Sequence, residues 1–126
     1  MGIWATGAGA AELFEALGLG LYALMTDLRK VRPSQERAVS ASGEDAPALV
    51  VAYLTELLQL KEADGFLARQ VHVRPLGDPP TALVASLRGE PFDPARHVAH
   101  VDVKAVTFHE LEFDPSRRRA RVIVDI

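Results

Sequence analysis

The chain has 126 residues, 14 Lys and Arg against 17 Asp and Glu, a formal net charge of −3, and 48% hydrophobic residues, the proportions of an ordinary globular domain. One domain over residues 1–126 is expected, burying about two thirds of the surface its unfolded chain would expose. With no cysteine, disulfides, thiolate–zinc sites and thiol catalysis are excluded. No apolar run approaches the length of a membrane span, and the mildly acidic balance speaks against a protein whose main task is gripping phosphate backbones. The first eleven residues carry no Lys or Arg, and Glu12 and Glu15 break the apolar stretch that follows. A secretory signal is therefore not expected, and a cytoplasmic protein with no membrane partner is.

Residues 2–6 read as a short strand closed by Gly7-Ala8-Gly9. From Ala10 to about Asp27 the period becomes helical, with Phe14, Leu17, Leu21, Leu24, Met25 and Leu28 on one stripe. Gly18 and Gly20 inside that helix each cost roughly 1 kcal/mol against Ala, and close packing against a sheet is the expected reason for them. A strand follows at about Gln35–Ala41. Asp45 then reads as an N-cap with Pro47 in the first turn, opening a second helix that runs to about Ala63 and stops at Asp64-Gly65. Four strands complete the chain: about Phe66–Arg74, Ala82–Arg88, His100–Phe113 and Arg118–Ile126.

In the long third of these, Val101, Val103, Ala105, Thr107, His109, Leu111 and Phe113 alternate onto one face, and Asp102 and Lys104 onto the other. The last strand turns Ala120, Val122, Val124 and Ile126 inward and Asp125 outward, forming a hairpin with the long strand. This order predicts an α+β fold, with two helices packed on one face of mostly antiparallel sheet. The two helix-then-strand units suggest a duplicated β-α-β-β unit.

Chemistry-bearing motifs are sparse. Gly7-Ala8-Gly9 lies between strand and helix, but the third glycine of a dinucleotide loop is replaced by Glu12, so no nucleotide of its own is expected. His97 and His100 stand three apart leading into a strand, where their rings would diverge, and they read as solvated loop histidines. His109, on the apolar face, reads as a core histidine. Arg117, Arg118, Arg119 and Arg121 form the one basic cluster, a solvated hairpin tip unless it meets nucleic acid or an acidic surface. Lys104, with Asp102 and Asp125 on matching faces, is either a cross-strand ion pair or a small charged site.

Several segments together resemble the archease family. They are Gly2-Ile3-Trp4-Ala5 running into Glu12-Leu13-Phe14-Glu15, Ala23 to Leu28, Leu54-Thr55-Glu56-Leu57-Leu58, the turn at Gly89-Glu90, Val103 to His109, and Val122-Ile123-Val124-Asp125-Ile126. Tyr53 stands where the family has Trp, and Phe108 where it has Tyr. The resemblance implies a non-enzymatic partner of the GTP-dependent RNA-splicing ligase of the RtcB type, with no catalytic residue of its own. Such a protein promotes ligase guanylylation and multiple turnover in tRNA splicing and RNA repair, and meets RNA only through the ligase. Lys104, Asp125, Glu90 and His109 are the residues this implies for activating the partner.

The family's divalent-metal site, for calcium or magnesium, uses the Asp-Ile pair at positions 125 and 126 and an aspartate one place before Met1. Lacking that aspartate, Asp125 and Ile126 are expected to bind metal weakly or not at all, with the Ile126 side chain turned inward to anchor the terminus. Two other readings stand beside this one: a small metal-dependent phosphoesterase using Asp125 with Asp102 or a histidine, and a chaperone-like modulator of protein complexes.

Overall fold

The computed structural model describes residues 1–126. The order is β1 (Gly2–Thr6), α1 (Ala10–Met25), β2 (Gln35–Ser42), α2 (Ala46–Asp64), β3 (Phe66–Leu76), β4 (Ala82–Pro91), β5 (Ala105–Val106), β6 (Glu112–Asp114) and β7 (Arg119–Asp125). The fold is α+β and every strand pairing is antiparallel, but the strands divide between two sheets. In one, β4 lies between β2 and β3. In the other, β7 lies between β1 and the pair β5 and β6. Each sheet thus has its last strand in the middle, and β2 to β4 is inserted between α1 and β5.

Local chemistry explains the helix ends. The Asp45 carboxylate accepts the Ala48 N–H at 2.9 Å, satisfying one of the free donors of the first turn of α2. Gly65 ends α2 at φ 69°, in the left-handed region glycine enters without strain. α1 ends earlier than its apolar stripe predicts. Its last carbonyls are taken by another segment: His100 N–H donates to the Met25 carbonyl and Val101 N–H to that of Leu24.

The core lies between the helices and the inner faces of both sheets. Phe14 on α1 meets the Tyr53 ring edge-on, with centroids 5.6 Å apart, and Phe113 on β6 at 4.7 Å. The Tyr53 hydroxyl donates to the Phe14 carbonyl at 2.9 Å, and that of Tyr22 to the Leu57 carbonyl at 3.0 Å. Each buried hydroxyl thereby has a partner, and burial pushes both phenol pKa values well above their ordinary value. The two helical glycines are places of close approach. A Cβ on Gly20 would come within 2.5 Å of Ile3 on β1, as the sheet-packing expectation requires, whereas one on Gly18 would clash with the Tyr53 hydroxyl of α2.

The long strand expected over His100–Phe113 is not continuous. Only Ala105–Val106 and Glu112–Asp114 pair with β7. Five residues separate Val106 from Glu112, but only two separate their partners Val124 and Arg121. Three residues are therefore surplus and loop out through a turn in which Leu111 N–H donates to the Phe108 carbonyl and Glu110 adopts φ 51°. An odd surplus reverses which residues face inward. Val106 faces the core side in β5 and Phe113 does so in β6, so the single alternation from Val101 to Phe113 is broken.

Candidate functional site

β7 carries the residues singled out at the C-terminal end. Its even positions, Ala120, Val122 and Val124, are buried, and its odd positions, Asp125 among them, face outward. Pairing places Ala105, not Lys104, across from Asp125. The Lys104 backbone N–H donates to the Asp125 carbonyl at 2.8 Å, so the two residues are joined through the main chain while both side chains remain exposed. On the other edge of β7, Val124 N–H donates to the Met1 carbonyl at 2.9 Å. Because Gly2 pairs with Ile123, the same register continued one place beyond Met1 falls opposite Asp125. Lys104, Asp125 and the start of β1 are thus gathered at one end of the sheet.

Ile126 departs from expectation. It is 56% exposed, because β7 ends at Asp125 and no element lies beyond it to receive the side chain. The terminus is held by the backbone pairing of Val124 and Asp125, not by an apolar anchor.

His109 is also displaced from its expected place. It falls in the surplus loop, its side chain 75% exposed beside Glu110, and is no core histidine. Its backbone N–H donates to the Thr107 hydroxyl, which itself donates to the Ile123 carbonyl at 2.9 Å. The loop carrying His109 is thus fastened to β7 two residues from Asp125.

Glu90 belongs to the other sheet. The expected turn at Gly89-Glu90 lies inside β4, and the Glu90 carboxylate is buried. It accepts the Arg32 N–H at 2.7 Å and the Arg96 Nη1 at 3.2 Å, pairs closely with Arg96 Nη2, and lies 3.0 Å from His97 Nε2. Led by the Arg96 hydrogen bond, these contacts hold its pKa down at about 2. His97, expected to be solvated, is fully buried against it, while His100 is exposed. The signal for this cluster was the Asp93-Pro94 step. The Asp93 carboxylate accepts the Ala95 N–H and its carbonyl accepts those of Arg96 and His97, an Asx-type turn that folds both side chains back onto Glu90.

A resident divalent cation does not fit these residues as they stand. Calcium and magnesium need about six or more oxygen ligands, several of them anionic. Asp125 and the Ile126 main chain supply hard oxygen donors of the right kind, but no group of three or more His, Asp or Glu side chains converges anywhere in the chain. Nor do a nucleophile, a base and an orienting partner converge at this end of the sheet.

The architecture and site define a small α+β protein with two like-planned sheets and a charged strand end at the meeting of its first and last strands. Residues 1–126 match the Archease protein family (MTH1598/TM1083), and the chain belongs to that family. It is 36% identical over 115 residues to the protein archease of Thermococcus gammatolerans, covering 90% of this chain and 81% of that protein. With the protein archease of Methanopyrus kandleri it shares 38% identity over 118 residues, 91% and 84% of the respective chains.

The solution structure of Methanobacterium thermoautotrophicum protein 1598 superposes with a TM-score of 0.81 at 30% identity, covering 99% of this chain and 91% of that one. An archease of Thermotoga maritima, described as a possible chaperone, shares the fold at a TM-score of 0.58 and 14% identity, covering 100% and 90%. No helix is long and apolar enough to cross a membrane.

Proposed function

We propose that this chain is a non-enzymatic activator of a GTP-dependent RNA ligase of the RtcB type, promoting ligase guanylylation and multiple turnover. Family membership supplies the prior. The observation that carries the reading is the end of β7, where Lys104 and Asp125 are tied by a 2.8 Å backbone hydrogen bond with both side chains free to reach outward. A fixed backbone with exposed charged tips suits insertion into another protein's site. The Lys104 ammonium would offer a compact positive charge to phosphate oxygens, and the Asp125 carboxylate would accept a proton or hydrogen bond from the partner. His109, on its fastened loop, is placed to line the same contact. The activating contacts come from the chain's own side chains. Glu90, buried and fully engaged, supports the fold on this reading.

The test mixes catalytic amounts of the protein with the cognate ligase, GTP, a divalent metal and RNA ends, and follows guanylylated ligase and ligated RNA over several turnovers. A rise in turnover supports activation, and an unchanged turnover number refutes it. Phosphate or nucleotide release by the chain alone would favour the phosphoesterase reading. The chaperone-like reading draws on the Thermotoga relative's description and on a cleft of about 350 Å³ lined by Met25, Leu67, Phe92 and Val101 among others. Protection of unrelated clients from aggregation, without any ligase effect, would favour it.

A further inference from the structure

The outer face of the sheet built on β7 holds an arrangement that ligase activation does not use. Directly paired residues of antiparallel strands share a face. Trp4 therefore stands beside Arg121 and, across β7, Glu112, while Thr6, Arg119 and Asp114 form the next row. Trp4 is 70% exposed. Its benzo edge lies over Gly2, where an added Cβ would come within 2.5 Å of the ring. Glycine at position 2 thus lets the indole lie down along the strand, with much of its surface open. A cleft of about 350 Å³, lined by Trp4, Ala5, Thr6, Glu112, Arg119, Ala120 and Arg121, runs beside it.

We propose that this face is a single-stranded RNA contact in which Trp4 stacks a base and Arg119 and Arg121 hold the flanking phosphates. An aromatic ring laid on a sheet beside cations is the general arrangement for binding single strands, because every base has a π-face and the backbone is anionic. The composition of the cleft favours this over a protein partner. The buried centre of a protein interface is depleted of charge, whereas in this cleft the one large aromatic is bordered by two arginines and a glutamate, with Ile123 beside it on the same face. Glu112 already accepts from Arg119 Nε through one oxygen, and its second oxygen can accept from a base amine. Arg118 at the adjoining turn adds positive charge where a strand would leave the cleft, while Arg117 beside it is paired with Asp114 at 3.6 Å.

The face also leads toward the proposed activating residues. Arg121, Ile123 and Asp125 share the outward side of β7, so a strand starting at Trp4 reaches Asp125 after four residues, about 13 Å. RNA contact would then be direct, contrary to the expectation that this protein meets RNA only through its ligase. It would also be local, on a chain whose net charge is −3. The proposal is independent of the ligase and is tested without it.

Trp4 is the only tryptophan in the chain, so its fluorescence reports on the stacking itself. Titration of the full chain with a short oligouridylate should quench that fluorescence saturably. With two phosphates held, affinity should fall about sevenfold between about 50 and about 200 mM salt. In fluorescence anisotropy with dye-labelled RNA, Trp4→Ala should weaken binding about fivefold or more. Arg119→Gln combined with Arg121→Gln should flatten the salt dependence while leaving the far-ultraviolet dichroism intact. Fluorescence left unquenched up to about millimolar RNA would overturn the proposal, as would a Trp4→Ala variant that binds unchanged. Equally tight binding of an oligoglutamate peptide would overturn it too, making the face a dock for acidic proteins.

Discussion

Glu90→Gln separates a structural charge from a functional one. The Glu90 carboxylate is only 8% exposed and takes donors from Arg32, Arg96 and His97, with Asp93 on the far side of Arg96. Its pKa falls from an ordinary 4.5 to about 2, chiefly through Arg96. Taken whole, that lowering corresponds to about 3 kcal/mol of stability at neutral pH. The Arg96 side chain is 32% exposed, so solvent screening trims the figure to about 2 kcal/mol. A group whose folded pKa is depressed stabilises the fold above its unfolded pKa and loses that contribution as pH falls toward the folded one. The gap in urea-unfolding free energy between wild type and Glu90→Gln should therefore be full at pH 7. It should begin to close near pH 4.5 and be more than half gone by about pH 3. Ligase activation per folded molecule should not change. A gap that stays flat with pH, or that is absent at pH 7, would refute the assignment of the cluster as a stabilising ion pair.

Three further outcomes are expected. Lys104→Ala should leave unfolding within about 0.5 kcal/mol of wild type, because the side chain is exposed, while ligase turnover drops sharply; loss of both together would make Lys104 structural. Tyr53→Phe should cost about 1 kcal/mol in thermal or urea unfolding, since it removes the buried hydroxyl's hydrogen bond to the Phe14 carbonyl, an oxygen that also accepts within α1, and an unchanged midpoint would show that this second bond adds nothing to stability. Extending the chain by one aspartate before Met1 should tighten calcium or magnesium binding, because the β1–β7 register carries that position opposite Asp125; equal affinities by calorimetry for the two forms would exclude it as a ligand.

The helices were legible in the sequence because their boundaries are written in local chemistry: the carboxylate of Asp45, the glycine at 65 and the stripe from Phe14 to Met25. β7 was legible for the same reason, since strict alternation from Ala120 to Val124 survives in the structure. What failed depended on counting across the sheet. Nothing between His100 and Phe113 announces that β7 offers three fewer residues than that segment supplies, so His109 reads as buried and is exposed. Glu90 and His97 were missed as a pair because the Asp93-Pro94 turn joins a strand to a loop, and neither periodicity reports on a contact of that kind. Ile126 continues the apolar alternation of β7 in sequence only, because it lies past the last pairing, where alternation no longer decides burial.

The register of β7 couples the fold to the proposed activities. Its even residues fill the core and its odd residues carry Arg119, Arg121 and Asp125, so a slip of one residue would bury the charges and expose the valines. Three features oppose that slip. β1 pairs along five residues on one edge, β5 and β6 pair on the other, and the Thr107 hydroxyl and N–H both engage the Ile123 carbonyl at the place where the surplus loop leaves the sheet. The loop absorbs the parity change between β5 and β6, so β7 need not bulge. β7 therefore keeps one uninterrupted outward row from the Trp4 cleft to Asp125. A surface that must present several charges in fixed order to a partner requires that continuity, and β7 obtains it by displacing the irregularity into the neighbouring strand.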